Sequence, residues 1–230
     1  MFYTPDIQTR AELPEEEAGH AIRVLRLQEG DQLELTDGQG NFYRAELTAA
    51  SARRCLVRIL ETLPQPPLWQ GHLHLAMAPT KNMDRTEWFA EKATEIGLDE
   101  LTFLLCRHSE RKVIKTERIQ KILVSALKQS LKARLPRLNE LTPFEKFVRQ
   151  PFTGQKFIAH CHPGEKPLLR DLLMPAEDAL VLIGPEGDFS EEEVALAEAC
   201  GFQSISLGRS RLRTETAALV ACHLMNLSHT

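Results

Sequence analysis

Residues 182–194 read Leu-Ile-Gly-Pro-Glu-Gly-Asp-Phe-Ser-Glu-Glu-Glu-Val: an apolar strand end, a glycine-proline turn and a helix start carrying three acids in a row. In an open α/β sheet, ligands lie beyond the carboxyl ends of the strands, where loops are free to approach them. Glycine lets backbone come close to a ligand and proline fixes the turn. Such a loop ordinarily holds phosphate, because a helix N-terminus carries partial positive charge. Here Ser190 and Glu193 have capping-box spacing, Glu191, Glu192 and Glu193 already answer that charge, and the lysine of a phosphate-binding loop is missing. The turn therefore points to a ligand that is neutral or cationic at this spot and is held by backbone amides and carbonyls.

A second turn repeats the arrangement. Residues 207–217, Leu-Gly-Arg-Ser-Arg-Leu-Arg-Thr-Glu-Thr-Ala, follow an apolar run and precede a helix. Arg209, Arg211 and Arg213 are costly to crowd together unless an anion or carboxylates neutralise them, and Glu215 is the acid within local reach.

Outward from these turns the chain alternates strand and helix. Strands are expected at 72–78, 101–106, 156–161, 179–183 and 204–207. Helices are expected behind an Asp84 cap with Glu87 three residues on, from Thr116 to Pro136, from Ser190 and from about Thr214. In the long basic helix, Ile119, Ile122, Leu123, Ala126, Leu127 and Leu131 fall on one face. Alternation of this kind implies a mainly parallel sheet covered by helices, an α/β class. The first third differs in texture. A short helical pattern runs from Glu15 through Ile22 and Leu25, followed by alternating runs at 32–35, 42–47 and 54–60, with the turn Asp37-Gly38-Gln39-Gly40 between the first two. The stretch Thr62-Leu63-Pro64-Gln65-Pro66-Pro67 reads as a linker, so the expected domains are 1–67 and 68–230.

Charge is uneven. The chain is −4 overall, yet residues 107–137 hold ten Lys or Arg against Glu110 and Glu117. A polyanion responds to local potential, which makes this segment either a phosphate-facing surface or a solvated helix paired with acids elsewhere. The five cysteines are scattered without a C-x-x-C pair, and the N-terminus lacks a basic stretch followed by an apolar one, which points to a reducing cytoplasm. Charges interrupt every apolar window, which argues against a membrane span. His160-x-His162, and His72 with His74, lack the further ligands that a metal site needs.

These residues together resemble the RsmE family of ribosomal RNA methyltransferases, of the SPOUT class. The resemblance runs through His20-Ala21-x-x-Val24-Leu25-Arg26, Gly30-Asp31, Lys81, Lys92-Ala93-Thr94-Glu95-x-Gly97, Ser109-Glu110-Arg111, Gln129-Ser130 and Pro136. It continues in Gly184-Pro185-Glu186-Gly187 with Phe189-Ser190, and in Leu207-Gly208 with Leu212-Arg213-Thr214-Glu215-Thr216-Ala217. Asp188 stands where the family often has glycine, and Ser210-Arg211 where an arginine and an aliphatic residue are common.

The resemblance implies an N-terminal PUA-like β-barrel that binds RNA and a SPOUT-type domain with a deep trefoil knot, working as a homodimer on small-subunit ribosomal RNA. S-adenosylmethionine would sit among Leu182, Ile183, Gly184, Gly187, Leu207, Gly208, Leu212 and Arg213, and the reaction would methylate N3 of a uridine in 16S rRNA. Arg213 is the candidate for stabilising negative charge on the base, and Glu186, with Glu215 behind it, the candidate for taking the imide proton. Arg23, Arg26, Arg107, Arg111, Lys112, Lys128 and Lys132 would contact phosphates. Two other readings stay open: a SPOUT ribose methyltransferase acting on tRNA, and a noncatalytic RNA-binding or ribosome assembly factor.

Overall fold

The computed structural model describes residues 1–51 and 53–230. They fall into two compact units, 1–67 with 124–135, and 68–123 with 136–230. Residues 124–135, grouped by sequence with the second domain, cluster with the first.

The first unit is built on strands β1 (Phe2–Tyr3), β2 (Gln32–Thr36), β3 (Asn41–Ala50) and β4 (Cys55–Pro64), in that order across the sheet. Strand β1 runs parallel to β2, and the other neighbours are antiparallel. Alternation puts Leu33, Leu35, Tyr43, Ala45, Leu47, Cys55 and Val57 on the buried face, against Phe2, Ile7, Leu13, Ala18 and Ala21. Helix α1 (Glu15–Gly19) continues into a π-helical turn, His20–Val24. The chain between β1 and α1 returns to the opposite side of the sheet, where Glu12 forms a single bridge to Leu56 of β4. The Asp37–Gly40 turn is held by one carboxylate, since Asp37 accepts from Gln39 N at 2.7 Å, Asn41 Nδ2 at 2.8 Å and Tyr43 Oη at 2.9 Å.

One expectation for this unit is corrected. Thr62, Leu63 and Pro64 are not linker but the end of β4, paired with Tyr43, Phe42 and Asn41. Strand β4 ends the strand order, so a proline at its last position removes no ladder bond that a further strand would need.

In the second unit the order is β11-β9-β10-β5-β6-β7, with β8 also beside β6, and every pairing is parallel. The strands are β5 (Leu73–Met77), β6 (Glu100–Leu105), β7 (Arg137–Leu138), β8 (Thr142–Pro143), β9 (Gln155–Ala159), β10 (Ala179–Ile183) and β11 (Gln203–Ile205). The helices are α2 (Met83–Ile96), the part of α3 (Thr116–Gln129) before residue 124, α4 (Phe144–Val148), α5 (Leu169–Leu172), α6 (Glu191–Ala199) and α7 (Thr214–His229). Every residue of β5 and β10 is buried, as expected of central strands covered on both faces. Strands β7 and β8 are two residues each, too short to leave a periodic signal.

Two helix ends also differ from the sequence reading. The α2 cap is Asn82, whose Oδ1 accepts from Asp84 N at 3.1 Å, so Asp84 already lies inside the helix. Helix α3 stops at Gln129, well before Pro136. Leu131 adopts φ 51°, the Lys132 amide bonds back to Leu127 O, and the Leu131 side chain is 66% exposed rather than on the apolar face.

A polar network closes the amino ends of β5 and β6. His72 Nε2 lies 2.9 Å from Glu100 Oε2, His74 Nε2 lies 2.8 Å from Thr102 Oγ1, and Asn139 Nδ2 donates to Thr102 Oγ1 at 2.8 Å. Burial holds the His74 imidazole down to about 4, while the bond from His72 brings the Glu100 carboxyl down to about 2. Glu100 stabilises the fold above its unfolded value and withdraws that contribution as pH falls through the folded one. His74 is neutral at pH 7 in both states, but below about pH 6.5 its buried ring resists the proton that the unfolded chain takes up, a penalty that grows to about 3 kcal/mol by about pH 4 at about 1.4 kcal/mol per pH unit. His72, raised by Glu100, acts oppositely, its share being lost as pH rises past the ordinary histidine value. Urea midpoints at pH 7 and pH 4.5 should therefore differ substantially in the native chain, and His74→Gln should flatten that difference by about 2 kcal/mol.

Candidate functional site

Three strand ends in the second unit converge on one cavity of about 1270 Å³. Strand β10 supplies Ile183, Gly184, Pro185, Glu186 and Asp188. Strand β9 leads into His160, Cys161, His162 and Lys166, and β11 into Leu207, Gly208, Leu212 and Arg213. The first turn of α2 adds Arg85, and α7 adds Thr214 and Ala217. The volume exceeds the roughly 300–1,000 Å³ of clefts for single small ligands, leaving room for a cofactor and part of a second molecule.

The β10 turn is tightly determined. A Cβ on Gly184 would stand 3.1 Å from the Phe189 amide nitrogen, closer than a side chain accepts without displacement. Asp188 takes φ 65°, a conformation that favours glycine. Its carboxylate offsets the strain, accepting from Cys161 N at 2.7 Å and Phe189 N at 2.8 Å, and so ties the β10 turn to the β9 loop. The aspartate at a position where glycine is common thus has a structural reason. On the β11 side, Gly208 has φ 134° with open space around it, so glycine there serves the backbone path rather than clearance.

The α6 start is closed to anions. Ser190 and Glu193 form the full capping box, Glu193 also accepts from Arg107 N at 2.8 Å, and Glu192 pairs with Arg107 Nη1 at 2.9 Å. The turn in front of α6 thus has no unanswered positive end, as its sequence suggested.

Of the residues chosen from sequence, Ile183, Gly184, Glu186, Leu207, Gly208, Leu212 and Arg213 line the cavity. Leu182 does not: it is fully buried in the core beneath, with Leu104, Phe189 and Val194. Gly187 also stands off the wall, facing His108. The Glu186 carboxylate is engaged, Oε1 accepting from Lys81 N at 2.8 Å, which makes it a tie between two loops. Arg213 occupies the α7 N-cap position, is exposed, and lines the cavity.

Sequence reasoning missed Arg85, Lys166 and the β9 loop as a third wall. The alternation of strand and helix could have indicated that loop, since β9 has the same polarity as β10. His160 and His162 lie on it with rings 5.3 Å apart, but they bond to Ser204 Oγ and Phe189 O, at 2.9 and 2.7 Å. Burial, then Lys166, lowers the His160 pKa. No group of three or more His, Cys, Asp or Glu among the described residues could hold a metal ion.

The candidate phosphate contacts divide. Arg23, Arg26 and Lys112 are exposed. Arg107 is paired as above, and Arg111 Nη2 donates to Lys81 O at 2.6 Å. Lys128 is committed within the first unit to Glu17, at 2.6 Å, with both side chains largely covered. Lys132 is half-buried on the segment that clusters with the first unit. For Arg118, which pairs with Glu87, and for Lys128, the internal-pairing reading of the basic segment holds.

Comparison with known proteins fixes the class first. The family model of the RNA methyltransferase domain matches residues 67–226, and that of the RNA methyltransferase PUA domain matches 13–60. A relative from Synechocystis sp., named Ribosomal RNA small subunit methyltransferase E, is 32% identical, with 89% of this chain and 68% of the relative covered. A probable rRNA-methyltransferase from Porphyromonas gingivalis superposes with a TM-score of 0.93 at 43% identity, over 99% of this chain and 97% of that one. A Legionella pneumophila protein named "putative methyltransferase", solved in complex with the bound cofactor SAM, superposes at 0.87 with 30% identity, over 98% of this chain and 96% of that one. The chain belongs to the ribosomal RNA small subunit methyltransferase E family.

Asp188 offers a direct check on the turn. Asp188→Gly should lose the tie to Cys161 while relieving the backbone, and Asp188→Ala should lose the tie and keep the strain, which costs roughly 1–2 kcal/mol per residue. Melting temperatures are expected in the order native, Asp188→Gly, Asp188→Ala; an alanine variant as stable as the glycine variant would contradict the assigned strain.

Proposed function

We propose that this protein methylates N3 of a uridine in 16S rRNA with S-adenosylmethionine as donor. The observation that carries the reading is the cavity at the ends of β9, β10 and β11, whose β10 turn faces an acidic, self-capped helix start. A phosphate-bearing cofactor is disfavoured there, whereas a sulfonium tolerates it. Ile183, Leu207 and Leu212 offer apolar wall for an adenine, and the Gly184 and Gly208 backbone lets donors and acceptors approach its edge. The relatives' names and the SAM-bound Legionella structure support the same cofactor and small-subunit ribosomal RNA as the substrate.

When bound, S-adenosylmethionine supplies an electrophilic methyl group, and the protein's task is alignment and charge control. The uracil imide holds its proton at neutral pH and must lose it as the methyl arrives, which spreads negative charge over the two flanking carbonyl oxygens. Arg213, an exposed guanidinium lining the cavity, is the cation we assign to that charge. Glu186 serves better as the tie to Lys81 than as the base. We read the second part as holding the trefoil knot on the family resemblance; the bonds from Ser206 N to Pro167 O and from Leu169 N to Ser206 O set the chain after β11 alongside the segment after β9. We read residues 1–67 as the PUA-like RNA-binding part and 68–230 as the methyltransferase part, and the protein as a cytoplasmic homodimer, on the family's precedent.

Nucleoside mass spectrometry of 16S rRNA from cells with and without the protein tests the reading: 3-methyluridine should be present only with it. Arg213→Ala should lower kcat by about 10²–10³-fold with the melting temperature unchanged, the size of effect that loss of one charge-stabilising donor gives. Arg23→Ala and Lys112→Ala should each weaken rRNA binding and reduce the slope of log affinity against log salt by about one.

A further inference from the structure

The cavity is lined by Arg85, Arg209, Arg211 and Arg213, and these four are not alike. Arg209, Arg211 and Arg213 are exposed on the β11 turn, whereas Arg85 comes from the first turn of α2 and is half-buried. Arg85 also faces an acid: its Nη1 lies 3.6 Å from Glu215 Oε1. Glu215 is 7% exposed, and its other oxygen, Oε2, is buried with no hydrogen-bond partner among the described residues. Burying a carboxylate costs several kcal/mol unless charge and hydrogen bonds compensate it. The second position of α7 gives partial compensation, and Arg85 is the ion-pair partner. Glu215 does not itself line the cavity, so it reaches that space only through Arg85.

We infer that Arg85 is a second catalytic cation of this site and Glu215 its positioning residue. The inference rests on the uridine-N3 reading above. Two cations suit this chemistry, because N3 of uracil lies between two carbonyl oxygens and the charge left by the departing proton is shared between them. Arg213 answers one oxygen from the α7 side, and Arg85 answers the other from the α2 side. In the step, the N3–H proton leaves to solvent, the N3 electron pair forms the bond to the methyl carbon, and the carbon–sulfur bond breaks to leave neutral S-adenosylhomocysteine. Both guanidiniums stay protonated throughout. Glu215 fixes the Arg85 guanidinium before the base arrives, so that little reorganisation is needed when charge develops.

The test uses the full-length protein, 30S subunits from cells lacking it, and S-adenosylmethionine carrying a labelled methyl group. Arg85→Ala should lower kcat by about 100-fold, leave the KM for S-adenosylmethionine within about twofold, and leave its calorimetric affinity unchanged. Arg85→Lys, which keeps the charge but not the fork, should recover part of the loss. Glu215→Gln should lower kcat about tenfold in the native background and have no further effect in the Arg85→Ala background, because it acts through that arginine. Loss of cofactor affinity in parallel with kcat, or an Arg85→Ala enzyme at native turnover, overturns the role of Arg85. A double variant slower by the product of the two single losses overturns the positioning by Glu215. Native protein that forms no 3-methyluridine overturns the underlying reading instead, so the two failures are distinguishable.

Discussion

The ladder that binds β10 to β5 on one side and β9 on the other governs this molecule. Ala179–Ile183 pairs residue for residue with Leu73–Met77 and with Gln155–Ala159, all parallel and in register. Parallel pairing makes all three strands end at the same side of the sheet, and burial of every β10 residue fixes its register. The Gly184-Pro185 turn leaves this clamped strand at a position it cannot choose. The β9 loop leaves beside it, and Asp188 then ties the two together.

Charge control follows from that placement. Behind the β10 turn, Ser190 and Glu193 satisfy the start of α6, and Arg107 is drawn in to neutralise the acids there. The cavity is therefore acidic-backed at one turn and arginine-rich at the other, a division suited to a cationic donor beside an acceptor that gains negative charge. The basic segment that stands out in the sequence serves two purposes. Part of it is spent on internal pairs, Lys128 with Glu17 and Arg118 with Glu87, while Lys112 stays exposed. The Arg118–Glu87 pair, whose arginine is exposed, contributes little stability, about 0–1 kcal/mol.

At the opposite end of the sheet, the His72, His74, Glu100 and Asn139 network closes the strand starts with polar groups. It takes no part in the cavity, and histidine spacing alone does not distinguish such a network from a functional one. The same lesson applies to His160 and His162, which line the cavity yet spend ring nitrogens on Ser204 and Phe189.

Much was legible in the sequence by itself: the alternation that makes the sheet parallel, the span of β10 to the residue, the α6 capping box, and two glycine turns at strand ends. These features depend on neighbours within a few residues, where periodicity, capping and turn chemistry act. The family resemblance added the cofactor and the substrate. What only the tertiary structure decided involves partners distant along the chain. It packed the Leu182 side chain into the core beneath the cavity, and it bonded the Glu186 carboxylate to the Lys81 amide. It ended α3 early through a left-handed Leu131, and made Thr62–Pro64 strand because an edge tolerates proline. Above all it brought Arg85 to Glu215 across 130 positions of chain, a pairing no local pattern encodes, because only the packing of α2 against α7 brings those charges together.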